Sequence, residues 1–180
     1  EHARAGSTIE GLTKLPLVFA EVEGQKGIIT AGSSSGITDG GAAVVLGGGD
    51  SVKARGLAPM ARIIGWATAG VDPRIMGIGP VPAVRALLEK TGLAMEDFDL
   101  VELNEAFAPQ VLSVLRDLPI ENERLNVNGG AIALGHPIGA TGARILVTLL
   151  YEMKRRSAKR GMATLCVSGG LGMALAVEAV

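Results

Sequence analysis

The chain has 180 residues, with 17 basic and 18 acidic side chains and a formal charge of −1. That length supports one good core, or one domain with part of another, and the balanced charge argues against a protein held to nucleic acid by neutralising phosphates. A hydrophobic share of 48% against 19% charged excludes disorder by composition, and a lone cysteine excludes an internal disulfide. No apolar run reaches the roughly 18 residues of a membrane span. The chain opens on Glu1-His2-Ala3-Arg4 without an initiator Met or a signal-like apolar segment, the start expected of a processed or partial chain. Aromatics are only 3%, so the core must be built from Val, Ile, Leu, Ala and Met, and the 26 glycines cluster between apolar runs, where tight turns and close backbone approach need them.

Residues 1–30 read as a connector, with Gly6, Gly11, Pro16, Gly24 and Gly27 interrupting every pattern. Residues 42–46, apolar and bounded by glycines, predict a buried strand. Asp50 or Ser51 then caps a short helix that ends near Gly56. From residue 60 the chain alternates. Residues 61–69 are β-rich, and a helix follows Pro82 with Val84, Leu87 and Leu88 on one face and Gly92 as its stop. A brief strand over 99–103 leads to a helix that begins at Asn104 and turns Phe107, Val111, Val114, Leu115 and Leu118 inward. Another short strand is expected at 125–127. A helix from about 142 follows, with Ile145, Leu146, Leu149 and Met153 facing inward and the cations Lys154, Arg155, Arg156, Lys159 and Arg160 on a solvated C-terminal end. Residues 162–167 and 173–180 form two strands joined by the Ser168-Gly169-Gly170-Leu171-Gly172 turn. This β, α, β, α, β, α, β, β order implies a mixed sheet with helices packed on it.

Three places put a reactive side chain where a strand ends and a turn or helix begins, the usual position for sites on such sheets. Asn104, in Asn104-Glu105-Ala106-Phe107, is either a helix cap or an amide that fixes a water toward a developing oxyanion. His136 lies in a glycine-dense loop, residues 129–142, that feeds a helix, and glycine lets substrate approach its imidazole closely. No Lys-Ser or Lys-Thr ends this loop, so it is not a nucleotide phosphate loop. Cys166, at a strand end before a glycine turn, is either a small buried hydrophobe or a thiol whose ordinary pKa of about 8.5 suits proton transfer. One Cys and two His without short-range spacing make a poor metal site, so no metal is expected. His2, at the chain end, has no evident role.

Asn104-Glu105-Ala106-Phe107, then Gly135-His136-Pro137 with Gly139-Ala140-Thr141-Gly142, then Cys166 before Gly169-Gly170, closely resembles the C-terminal half of thiolases, the acetyl-CoA acetyltransferases and 3-ketoacyl-CoA thiolases. The likeness extends through Thr30-Ala31-Gly32-Ser33-Ser34-Ser35-Gly36-Ile37-Thr38-Asp39-Gly40, Trp66-Ala67 and Gly77-Ile78-Gly79-Pro80-Val81-Pro82-Ala83, and so over essentially the whole chain. Related ketoacyl synthases share the fold but normally place a second His where Cys166 stands. The resemblance implies an α/β fold: a thiolase-like βαβαβαββ half with a mixed five-stranded sheet and helices on both faces, two such halves making the complete enzyme. Residues 1–33 would then be the end of an inserted coenzyme A-binding loop region, 34–60 the last strand and helix of the N-terminal half, and 61–180 the C-terminal half. The nucleophilic cysteine that carries the acyl group would come from an N-terminal portion supplied as a second chain.

Carried over by position, the resemblance assigns His136 to activate that thiol and donate to the thioester oxygen. Asn104 would hold the water that completes this oxyanion hole. Cys166 would move a proton to or from the α-carbon, and the backbone N–H of Ser168 would serve the second oxyanion hole. Ser35 would contact the pantetheine arm, Ala106 and Phe107 would line its tunnel, and Leu15 and Phe19 would pack on the adenine end. Coenzyme A and acyl-CoA enter as substrates, with no covalently bound cofactor. The expected assembly is a dimer or tetramer of complete units without nucleic acid or membrane, in the cytoplasm or, in a eukaryote, a mitochondrial or peroxisomal matrix. Ser168 stands where many thiolases have Gly, and Ser33-Ser34-Ser35 and Thr38 replace the common Asn-Ala-Ser and Asn. The alternative is a non-catalytic thiolase-like subunit that binds coenzyme A or scaffolds an assembly, which would have no need of three matched catalytic groups.

Overall fold

The computed structural model describes residues 3–180; Glu1 and His2 lie outside the described residues. In chain order the elements are α1 (Ile9–Thr13), β1 (Glu21–Val22), β2 (Gln25–Lys26), α2 (Gly49–Ala54), β3 (Ala61–Gly70), α3 (Pro80–Thr91), β4 (Leu100–Leu103), α4 (Ala108–Asp117), α5 (Ala131–Leu134), α6 (Thr141–Arg156), β5 (Arg160–Val167) and β6 (Leu171–Ala179). The main sheet has the order β3-β6-β5-β4. β6 runs antiparallel to both β3 and β5, while β4 and β5 are parallel, so the sheet is mixed as expected.

Alternation along the strands sends side chains to two separate cores. On one face Val84 and Leu87 of α3 and Val114 of α4 pack with Val101, Leu103, Met162 and Ala176 of the sheet. On the other, Ile145, Leu149 and Met153 of α6 meet Leu100, Ala163 and Val177. Each fully buried aliphatic side chain contributes about 1.5–3 kcal/mol, and the 3.6-residue spacing of these positions is what commits the segments to helix. Helices therefore cover both faces. α3 stops where expected, at Gly92 in the left-handed region (φ 69°). No helix of the described residues is long and apolar enough to cross a membrane.

Four expectations are corrected. The fifth strand, at 125–127, is reduced to a single parallel bridge between Val101 and Leu125. Asn126 adopts a positive φ of 44°, which an extended strand cannot continue, and its side-chain amide replaces the missing rung: Leu103 N–H donates to Oδ1 at 2.9 Å and Nδ2 donates to Leu103 O at 2.8 Å. The strand at 42–46 is absent, and Val45 is 99% exposed. A strand is held by a ladder to a neighbour, and no described strand pairs with this segment. α2 forms, but Gly48 rather than Asp50 or Ser51 caps it. α4 starts at Ala108 with Phe107 as its cap, not at Asn104, because Pro109 is acceptable only in a first turn.

Residues 3–30 are also more ordered than a connector. Val18 N–H donates to Ile29 O (2.8 Å) and Gly27 N–H to Ala20 O (3.1 Å), and β1 pairs with β2 around Glu23-Gly24. Both turn residues have positive φ, 50° and 77°, the twist a two-residue hairpin requires.

Candidate active site

β4 ends at Leu103, but its ladder continues one step, since Asn104 N–H donates to Thr164 O at 3.0 Å. Asn104 is thereby carried to the C-terminal edge of the two parallel strands, 2% exposed, with its side chain free of any capping duty. Cys166 stands two residues beyond Thr164 on the neighbouring strand, also buried.

His136 reaches the same edge from the glycine loop. Gly135 precedes it at φ 98°, and a Cβ there would collide with the Thr38 side chain, so only glycine fits. His136 N–H donates to Gly36 O at 2.8 Å, forming a parallel bridge with Ile37. On the other side of the same segment, Ser35 sends both its backbone N–H (3.0 Å) and its hydroxyl (3.1 Å) to Ala106 O. Residues 35–37 thus lie between the Asn104 loop and the His136 loop and tie to both.

The protonation of His136 follows from its partners. Thr141, fully buried at the start of α6, donates its one hydroxyl proton to Pro137 O at 3.0 Å. Its oxygen, 2.7 Å from His136 Nδ1, has only lone pairs left, so Nδ1 carries the proton and donates. Nε2 is then an unprotonated acceptor, and the Asn104 amide nitrogen lies 3.5 Å from it. Burial, reinforced by the charge of Arg144, holds the imidazole below its ordinary pKa, so it stays neutral. Burial pushes the Cys166 thiol up, which keeps it protonated. The carbonyl Oδ1 of Asn104 is buried without a partner among the described residues, an acceptor available to a bound group.

Asn104 and His136 are therefore brought into contact, and Cys166 shares their sheet edge. Ala106 is buried and Phe107 half-buried beside them. Ser168 is exposed in the turn between β5 and β6, where Gly170 (φ 87°) leaves room for no Cβ against Val71 O. Leu15 and Phe19 belong to the N-terminal segment: a Cβ at Gly32 would collide with Leu15, and Phe19 is 55% exposed. Thr141 was missed by sequence reasoning; a hydroxyl five residues after a loop histidine, at a helix start, is the signal that finds it. Two open grooves flank the C-terminal part of α6, one lined by Asn128, Tyr151 and Glu152, the other by Met60, Met153 and Val180, and neither holds Asn104, His136 or Cys166. The apolar neighbours of His136, Ile37 and Ile138, are 81% and 64% exposed.

A mixed α/β sheet thus sets a neutral imidazole 3.5 Å from a carboxamide, with a protonated thiol near the end of the neighbouring strand, and groups of these types can take part in general acid–base chemistry. The family model for the thiolase C-terminal domain matches residues 57–179, and that for the thiolase N-terminal domain matches residues 1–49. The acetyl-CoA acetyltransferase of Paracoccus denitrificans is 54% identical over 99% of this chain and 44% of its own length. The beta-ketoadipyl-CoA thiolase of Pseudomonas putida is 51% identical over 100% of this chain and 44% of its own. Among solved structures, the Bacillus anthracis acetyl-CoA acetyltransferase superposes with a TM-score of 0.95 at 52% identity, covering 100% of this chain and 45% of that one. Human mitochondrial 3-ketoacyl-CoA thiolase in complex with CoA superposes with a TM-score of 0.92 at 47% identity, with the same coverage. The chain belongs to the thiolase family. It spans somewhat less than half the length of the relatives it matches, 44% of the two named here.

Proposed function

We propose that this chain is the C-terminal portion of a thiolase. It would transfer acyl groups between acyl-CoA and CoA, by condensation of acetyl-CoA or thiolysis of a 3-ketoacyl-CoA, together with an N-terminal portion that carries the nucleophilic cysteine. The observation that carries this reading is the hydrogen-bond chain from His136 Nδ1 through Thr141 to Pro137 O, which leaves Nε2 as a base beside the Asn104 amide. Nε2 takes the proton of the nucleophilic thiol and, once protonated, donates to the thioester oxygen. Asn104 holds a water that completes that oxyanion hole, and a donor of this kind is typically worth ~3 kcal/mol. Cys166, kept protonated by burial, hands its proton to the α-carbon as a 3-ketoacyl thioester is cleaved, and the thiolate this leaves is the base that takes the α-proton back when the step runs as a condensation. The Ser168 backbone N–H serves the second oxyanion.

Residues 1–33 act as the end of the coenzyme A-binding loop region, 34–60 as the end of the N-terminal half, and 61–180 as the C-terminal half. Ser35 meets the pantetheine arm through its lone pairs, since its hydroxyl proton is committed to Ala106 O. Ala106 and Phe107 line the tunnel, and Leu15 and Phe19 lie at the adenine end. Coenzyme A is held without a covalent bond, complete units associate as a dimer or tetramer, and the setting is a cytoplasmic or organellar matrix. The exposure of Ile37 and Ile138 beside His136 supports a site covered by the N-terminal portion. Reassembly of the two portions restores thiolysis of acetoacetyl-CoA, and His136→Ala or Cys166→Ala abolishes it. Turnover untouched by both substitutions overturns the reading.

A further inference from the structure

We propose that Glu105 is a positioning residue that sets the contact between Asn104 and His136 by clamping the end of β4 to the glycine loop. The inference rests on the acid–base site proposed above. Glu105 directly follows Asn104, and its two carboxylate oxygens are used separately. Oε1 accepts from Asn126 Nδ2 at 3.1 Å, and Oε2 accepts from the backbone N–H of Ile132 at 3.2 Å. Asn126 also holds Leu103 through both its amide atoms. Asn104 is therefore bracketed: the residue before it and the residue after it hang on one side chain, and its own N–H is held by Thr164 O.

The second oxygen makes the clamp reach the imidazole. Ile132 lies in α5, the short turn that delivers the chain to Gly135 and His136. One half-buried carboxylate thus spans the two loops whose side chains meet at 3.5 Å. The fit is close, because a Cβ at Gly130 would fall inside the Glu105 carboxylate. Residues 35–37 supply a second tie between the loops, through Ala106 O and His136 N–H. Loss of the clamp therefore loosens the site without severing it. Glu105 touches no reacting atom in this arrangement, and its effect runs through Asn104 and His136.

The test is a double-mutant cycle in the complete enzyme, this chain together with its N-terminal portion, with acetoacetyl-CoA and CoA as substrates. Glu105→Ala lowers kcat by up to about 100-fold, the scale of a misplacement near 1 Å, and leaves KM for acetoacetyl-CoA nearly unchanged. On an Asn104→Ala background the same substitution costs clearly less, since the contact it sets is gone and only its hold on the His136 loop is left to lose. Glu105→Gln keeps the shape but only one acceptor and falls between; it carries the cycle alone if Glu105→Ala does not fold. Losses that multiply across the two backgrounds, or an unchanged kcat in Glu105→Gln and Glu105→Ala, overturn the proposal. If Asn104→Ala and His136→Ala themselves leave turnover intact, the acid–base reading has failed. If both are damaging and only the coupling is absent, Glu105 alone has been misread.

Discussion

The Thr141 hydroxyl accepts from His136 Nδ1 at 2.7 Å while donating to Pro137 O, and this single oxygen decides which imidazole nitrogen is left unprotonated. Thr141→Val keeps the volume and removes the relay. Nδ1–H then loses its acceptor, and the unprotonated nitrogen is no longer specified. The expected result is a kcat lowered by roughly 100-fold with little change in KM, and recovery of most activity in Thr141→Ser. Steady-state kinetics of the three variants of the complete enzyme decide it, and a fully active Thr141→Val refutes the assignment of the base.

Burial and the nearby Arg144 both disfavour the imidazolium. The acid limb of the kcat/KM profile, which reports protonation of the free base, is therefore expected below the ordinary histidine value of about 6.5. Arg144→Gln removes the repelling charge and moves that limb upward. A limb that stays in place or moves down in this variant shows that another group governs it.

Glu102 faces α6 from within β4, 5% exposed, and its carboxyl is pushed up to about 7 by burial, with Arg144 opposing and Glu105 and Glu152 adding to the rise. A carboxyl raised on folding binds more protons in the folded state, so its contribution to stability falls as pH rises from about 4.5 to 7. The loss is on the order of 3 kcal/mol at most. Glu102→Gln in the complete protein should match the parent in denaturant unfolding near pH 5 and exceed it near pH 8. Equal stability at both values argues against a strained charge at this position.

Glu152 behaves in the opposite sense. Asn128 donates to its Oε2 at 2.9 Å, Arg155 and Arg156 also pair with it, and these contacts hold its carboxyl down at about 2. A lowered carboxyl stabilises the fold above its unfolded value, and that stabilisation is lost as pH falls from about 4.5 toward 2. Glu152→Gln is expected to lower Tm at pH 7 and to converge with the parent near pH 2. Thermal melts across that range, monitored by circular dichroism, would show a constant offset if the carboxylate contributes nothing through its charge.

Much of the fold could be read from the chain because the relevant signals are local. Val84, Leu87, Ile145, Leu149 and Met153 recur at helical spacing, and all five are buried in the structure. Gly92 ends α3 because only a residue tolerant of positive φ can turn there. Residues 42–46 and 125–127 show where such reading ends. Both carry strand-like composition, but one has no described neighbour to pair with, and the other turns away at Asn126 and pairs through a side chain. Asn104 was legible as a residue of interest and ambiguous in role, since a cap and a catalytic amide look alike until Pro109 fixes where the helix begins.

The order of residues alone determined the alternating α/β pattern beyond residue 60, the family likeness, and the candidacy of Asn104, His136 and Cys166. Periodicity and turn chemistry act between neighbours along the chain. Only the tertiary structure decided that Asn104 and His136, 32 positions apart, lie 3.5 Å from one another. It also decided that a threonine selects the tautomer and that Glu105 grips both loops. The physical reason is that hydrogen bonds between distant segments depend on distances and angles fixed only when the sheet and helices pack.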